Sequence, residues 1–430
     1  MMKQLVEKSG PGSAPEPEVL PGDLMSKRDR LQLVLVLGSL IAIGPLTIDM
    51  YLPALPAITA GLETTETAVQ LTLTGTLLGL SLGQLLIGSL SDVVGRRPPL
   101  LAGLAAHVLA SVLCVFAPNI ATLGVLRVVQ GLGVAAAAVV ATAVIRDLFS
   151  GDSFARVFSR LMLVMSLAPI LAPTLGSALL RWTEWRGVFA ALAVLGAVLV
   201  VIAALRLPET LPVARRRHGG MAGTLRDYRT LLNDRAFVGL VLVAGLAMAA
   251  LFGYISGSSF VLQTQYGLDE QQFGVAFGAG AVGLIAGTQL NVRLLHRYTS
   301  QQILVSTLIA GTAAGLLLIL LAVTGVGGLA ALLATLWLVL ATIGLALPNG
   351  PALAMSRHSQ AAGTAAALLG AVQCGIGALS APLAGLFGTG AVPMAVVIAG
   401  GMAAALAVMV LVVPRAALRT VDPDLAVALH

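Results

Sequence analysis

Residues 83–97 of the chain read Gly83-Gln84-Leu85-Leu86-Ile87-Gly88-Ser89-Leu90-Ser91-Asp92-Val93-Val94-Gly95-Arg96-Arg97. An apolar, glycine-spaced helix runs here into a turn that carries one carboxylate and two guanidinium groups, as expected where a membrane span reaches a water-facing surface. The helix dipole disfavours negative charge at a C-terminus, so Asp92 needs a cationic partner; Arg96, Arg97 and Arg146 are the candidates. Upstream, Gly75, Gly79 and Gly83 recur every four residues. Such a small-residue stripe lets a second helix approach closely.

The rest of the chain fits a span ending there. Of 430 residues, 58% are hydrophobic and 10% charged, against about 25% charged in soluble domains, so most of the surface must face lipid. The 4% aromatic share and 48 glycines favour packed helices over a barrel with aromatic girdles. With about 20 apolar residues needed per crossing, we place twelve spans at 31–55, 68–91, 98–117, 120–145, 157–180, 187–206, 236–262, 272–292, 302–322, 328–350, 361–385 and 391–413. The expected fold is an all-α integral membrane protein of twelve transmembrane helices in two pseudo-symmetric six-helix bundles.

Charge sets the orientation. Of 25 Lys and Arg residues, 22 fall in tails and loops of one face; Arg181 and Arg186 lie on the other, and Arg127 lies within a span. The positive-inside rule then makes both termini cytoplasmic. Residues 1–30 are expected to be a disordered cytoplasmic tail, 31–206 one bundle, 207–235 a basic cytoplasmic linker, 236–413 the second bundle and 414–430 a further tail. The linker holds Arg215-Arg216-Arg217-His218, a topology signal or a site for anionic headgroups. The net charge of +6 belongs to these loops, and no nucleic-acid partner is expected. Cys114 and Cys374 sit in apolar stretches and offer neither a disulfide framework nor a metal site.

The halves echo each other. Gly287-Thr288-Gln289-Leu290-Asn291 with Arg293 and Arg297 repeats the pattern around Gly83, and Pro382-Leu383-Ala384-Gly385 repeats Pro173-Thr174-Leu175-Gly176. Repeats with a site at their interface are the usual architecture of secondary transporters. An intramembrane enzyme would need paired carboxylates, a Ser/His pair or a His/Asp cluster within the spans. The sequence places none there, and no cofactor is expected.

Asp49 is the one carboxylate well inside a span and Arg127 the one such base. At 1.5 Å per residue, Asp49 lies about 27 Å from the inner start of the first span and Arg127 about 10 Å from the outer start of the fourth. Intramembrane charges default to functional roles. A carboxylate exposed alternately to each side can carry a proton; the alternatives are a fixed Asp49–Arg127 pair or an Asp49 at the wet interface near Pro53. His107, the one embedded histidine, is a candidate relay or a hydrogen-bonded helix contact. Tyr51, Gln70, Gln130, Tyr254, Gln263, Asn349 and Gln373 are candidates for a central substrate cavity. Few charges among many Ala, Leu and Met side chains suit a neutral, rather apolar ligand.

The stretch from Gly83 to Arg97 resembles the signature between the second and third spans of the major facilitator superfamily. Leu126-Arg127-Val128-Val129-Gln130-Gly131-Leu132-Gly133 is similar to the fourth-span motif of its proton-coupled members. Ala168-Pro169-Ile170-Leu171-Ala172-Pro173-Thr174-Leu175-Gly176-Ser177 is similar to the fifth-span antiporter motif, with Ala172 and Ser177 where that motif has glycines. Ile48-Asp49-Met50-Tyr51-Leu52-Pro53-Ala54-Leu55-Pro56 narrows the resemblance to the Bcr/CflA drug-resistance transporters. The resemblance implies proton-coupled export of drug-like compounds such as bicyclomycin, chloramphenicol or sulfonamides by a monomer in the bacterial inner membrane. It implies a conformational latch of Gly83, Asp92, Gly95, Arg96 and Arg97, and a fifth helix whose Pro169, Pro173 and Gly176 seal one bundle against the other. Export of an endogenous metabolite and a non-transporting receptor or scaffold are the competing readings.

Overall fold

The computed structural model describes residues 20, 22, 25–216, 228–356, 358, 362–385 and 387–413. Among these, twelve helices are long and apolar enough to cross a membrane. The first span is Lys27–Asp49, continued by a 3₁₀ turn at Leu52–Ala54 and a short helix at Leu55–Gly61. Glu66–Val94, Arg97–Val115, Ile120–Leu148, Gly151–Leu180 and Trp185–Arg206 complete the first six. The seventh, Arg235–Ser259, continues into a π-helical turn at Phe260–Gln265. Glu270–Leu294, Ser300–Thr324, Gly328–Met355, Ala362–Ala378 with Ser380–Gly385, and Ala391–Leu411 follow. The expected tail at 414–430, most of the first thirty residues and the linker stretch 217–227 lie outside the described residues.

All twelve expected spans are present, and most run a few residues beyond their apolar windows. Polar caps extend them: Ser26 accepts from the Asp29 N–H, Thr65 from that of Ala68, Asp269 from that of Gln272. Hydropathy sees the apolar middle of a helix, whereas capping residues set its ends.

Glycines fix the packing of the second span on the fourth and of the eighth on the tenth, in the same way. A methyl group at Gly79 would overlap the Val128 carbonyl oxygen, and one at Gly131 would overlap that of Thr76. In the second half, Gly287 meets the Ala341 carbonyl and Gly344 that of Leu284. Each crossing is reciprocal, with each glycine set against the carbonyl three residues before its opposite number. One turn closer to the basic face the halves diverge. Gly83 packs on Ala135 and Leu132, whereas Asn349 donates from Nδ2 to Asn291 Oδ1 at 2.7 Å.

The halves meet where the second span lies along the eleventh and the fifth along the eighth. One apolar core joins both halves toward the face poor in Lys and Arg, here the far face, through Tyr51, Leu55, Leu73, Phe189, Phe260 and Phe277, and continues through the second half to Phe237 and Val413. Toward the basic face, a second core around Leu37, Leu104, Val144, Phe149 and Leu199 belongs to the first half alone. Outward-facing Leu86, Leu109, Val125, Leu163, Leu316 and Val410 form the apolar belt that lipid covers.

Candidate functional site

Pro53 has no N–H to continue the first helix, which ends at Asp49 and leaves its last carbonyls open to other donors. Leu46 accepts from the Met50 N–H, and Thr47 accepts from Arg127 Nη2 at 3.0 Å. The guanidinium thus lies at the negative end of the first helix, two residues from Asp49. Arg127 is wholly buried. Its carbon sits 4.1 Å from the Tyr51 ring centroid and 5.8 Å from that of Phe189, so the ring faces take up part of the charge.

Arg127 Nη1 donates to Gln130 Oε1 at 2.9 Å, and Gln130 Nε2 donates to Ser111 Oγ at 2.7 Å. Ser111 in turn donates to the His107 carbonyl at 2.7 Å, and the His107 Nε2 lies 3.5 Å from Ser111 Oγ. Asp49 is 4% exposed and its Oδ1 has no hydrogen-bond partner; Arg127 Nε and His107 Nδ1 have none either. Asp49 and Arg127 therefore share a layer without forming an ion pair, and Asp49 is not at a wet interface. Across the boundary between halves, Tyr254 lies within electrostatic range of Asp49 and stacks on Phe277 at 5.1 Å.

Side-chain donors close the far face by reaching backbone acceptors in the opposite half. Gln70 Nε2 donates to the Ser256 carbonyl at 3.2 Å, Ser259 Oγ to that of Leu52 at 2.7 Å, Gln263 Nε2 to that of Pro53 at 3.2 Å and Gln271 Nε2 to that of Ser177 at 2.6 Å. Thr389 donates to Glu66. The Leu52 carbonyl accepts the Leu55 N–H within the 3₁₀ turn and takes the Ser259 hydroxyl as a second donor, since Pro56 has no N–H to offer it. Deeper in, Thr74 and Ser81 donate to the Ala378 and Ala371 carbonyls, and Gln84 approaches Cys374 Sγ at 3.5 Å. Nearer the basic face than Gln84, no hydrogen bond joins the halves among the described residues. A cavity of about 380 Å³ opens there, lined by Gln84, Asp92, Thr142 and Arg146 from the first half, Tyr228 from the linker and Thr364 from the second half.

An ionic cluster borders that cavity. Arg96 Nη1 donates to Asp92 Oδ1 at 2.6 Å and to Ser91 Oγ at 2.9 Å, while its Nε donates to Asp147 Oδ2 at 2.9 Å. Burial acts to lower the Arg96 pKa, but Asp147 and Asp92 outweigh it and hold the charge more firmly than usual. Of the three candidate partners for Asp92, Arg96 takes the role; Arg97 donates instead to the Ala204 carbonyl at 2.5 Å. Gly95 adopts φ +103°, and a side chain there would strike the Glu209 carboxylate. That carboxylate accepts from the backbone N–H groups of Arg96 at 2.8 Å, Arg97 at 3.1 Å and Leu211 at 3.0 Å. Burial pushes the Glu209 carboxyl up, but these donors and the Arg216 guanidinium outweigh it and hold it below the ordinary range. Thr210 adds a bond to Asp147 at 3.1 Å.

The structure thus brings Asp49, Arg127, Tyr51 and Gln130 together, and groups Asp92, Gly95 and Arg96 apart from them. Gly83 sits in the helix crossing rather than in the ionic cluster. Gly176 lies against the Met50 carbonyl, and Pro173 and Ser177 face Gly274 of the eighth span, so the fifth helix touches both halves. Gln70 and Gln263 are engaged in the far-face seal, Asn349 pairs with Asn291, and Gln373 is partly exposed. None of the seven cavity candidates lines the basic-face cavity. Sequence reasoning missed Asp147, Glu209, Ser111, Ser256 and Ser259.

A family model described as Major Facilitator Superfamily matches residues 37–382. The chain is 38% identical to an uncharacterized MFS-type transporter, YdgK, of Bacillus subtilis, over 85% of this chain and 92% of that one. It is 30% identical to a bicyclomycin resistance protein homolog of Haemophilus influenzae, over 81% and 88%. Its fold matches the xylose transporter XylE from E. coli, in a partially occluded inward open conformation, with a TM-score of 0.72 over 92% of this chain and all of that one, at 12% identity. With the family model spanning most of the chain and the relatives matching along nearly their whole lengths, the protein belongs to the Major Facilitator Superfamily, among its Bcr/CflA drug-resistance transporters.

Proposed function

We propose that the protein exports small, largely neutral, drug-like compounds of the bicyclomycin, chloramphenicol or sulfonamide type in exchange for protons, by alternating access. It acts as a monomer with no bound cofactor, and its basic face and both termini lie in the cytoplasm. The observation that carries this reading is Asp49, a buried carboxylate within the first span with an open oxygen and no counter-ion. Burial without a partner makes its charge costly to hold, so gaining or losing a proton changes the energy of the layer that joins the halves.

In the cycle, Asp49 takes a proton when the far face opens outward, and substrate leaves. Once the far face has sealed as described, the proton departs toward the cytoplasm while the next substrate enters past the basic-face cavity. The name of the Haemophilus relative supports the drug class. The test is a respiration-generated pH gradient across inverted membrane vesicles, challenged with a panel of neutral antibiotics. We expect at least one compound to dissipate the gradient with the intact protein and none to do so with Asp49→Asn at equal expression. Normal exchange by Asp49→Asn would sink the proposal.

A further inference from the structure

Asp49 and Arg127 are opposite charges, both under-satisfied and both in one buried layer, yet they stay apart. The hydrogen bonds account for the separation. One terminal nitrogen of Arg127 is held by Gln130 and the other by the Thr47 carbonyl, while its flat face rests on Tyr51. Gln130 is itself fixed from behind, because its amide nitrogen donates to Ser111, which His107 backs from one helical turn away. Gln130, Ser111 and His107 are all fully buried, so water does not compete for these bonds.

We propose that Gln130 and Ser111 are positioning residues whose chain restrains the Arg127 guanidinium, and that this restraint keeps Asp49 unpaired and able to exchange its proton. This rests on the proton-site reading above. Without the chain, only the Thr47 carbonyl and the Tyr51 ring hold the guanidinium, and its released nitrogen can turn toward Asp49. An arginine beside a carboxylate favours the ionised form, by roughly one to three pH units for an opposite charge within about 4–6 Å. Asp49 would then give up its proton too readily to carry it.

Few other groups bear on this balance. The first span packs against the fourth, fifth and sixth. Between 161 and 180 in the fifth and between 187 and 205 in the sixth there is no ionisable side chain, and between 121 and 145 in the fourth there is Arg127 alone. The third span adds His107 and Cys114, and the seventh adds Tyr254; Tyr51 lies under Arg127.

The experiment is an infrared titration of the protonated-carboxyl band of the full chain in liposomes, with Asp49→Asn as the subtraction control, on Gln130→Leu, Ser111→Ala and Ser111→Thr. Gln130→Leu and Ser111→Ala are expected to move the half-protonation point of the Asp49-dependent band at least one pH unit lower, with proton-coupled exchange in vesicles shifting in the same direction. Ser111→Thr, which keeps the hydroxyl, is expected to leave the band where the parent has it. A purely structural role for the chain would weaken folding without moving the band. A band that stays in place or moves to higher pH in Ser111→Ala overturns the proposal, and Ser111→Ala decides the matter if Gln130→Leu does not fold. If no band depends on Asp49 in the parent, the proton-site reading fails as well; a band that titrates but stays in place overturns the positioning role alone.

Discussion

The two faces of the molecule are closed by different chemistry. The far face is sealed mainly by neutral side-chain donors, Gln70, Ser259, Gln263 and Gln271, each reaching a backbone carbonyl of the opposite half. At the basic face an ionic cluster lies within the first half and its linker, where Arg96 is shared by Asp92 and Asp147 and Glu209 binds the backbone at Arg96 and Arg97. A neutral bond to a carbonyl can be passed to water without stranding a charge. An ion pair broken by losing one partner leaves a charge behind. In the proposed cycle, the far face is therefore suited to opening and closing repeatedly at small cost, while the ionic cluster holds the first half in one shape.

The largest effect is expected where a charge is stranded. Arg96→Ala leaves Asp92 and Asp147 without their cation and should cost about 3 kcal/mol, toward the low end for a buried pair because the Asp92 side chain is 36% exposed. Thermal unfolding should fall measurably and export should drop more than tenfold. A variant as stable and active as the parent would erase the contrast between the faces.

The seal should respond less, and additively. Gln70→Leu and Ser259→Ala each remove a net bond worth about 1 kcal/mol, which shifts the balance toward the state open at the far face about fivefold apiece. Distances between spin labels on the far-face loops would report that shift, and high salt should leave it unchanged. A strong salt dependence there would mean that charge contributes to the seal.

The smallest effect is a pH dependence at Glu209. Its carboxyl is held below the ordinary value of 4.5 by its N–H donors, so its contribution to docking the linker is complete above that value. The contribution is lost as pH falls through the lower folded value. Hydrogen exchange at the Arg96 and Arg97 amides should be slow at neutral pH and accelerate only in acid below the usual carboxylate range. Glu209→Gln should speed it at neutral pH.

Much of this was legible in the sequence. Twelve spans stood out because lipid leaves apolar runs little alternative, and Asp49 and Arg127 stood out because charge is rare there. The partners were less visible. Asp147 and Glu209 reach Arg96 from far along the chain, and nothing in local pattern marks them as its acids. The far-face seal was hidden because half of most of its bonds is a backbone carbonyl, which every residue has.

The reciprocal glycine crossings have a mechanical consequence. Where backbone lies directly on backbone there is no side chain to change rotamer, so the joints between the second and fourth spans and between the eighth and tenth have no play. In the proposed cycle each half then moves as a stiff lever, with the stroke set by how far the two levers tilt.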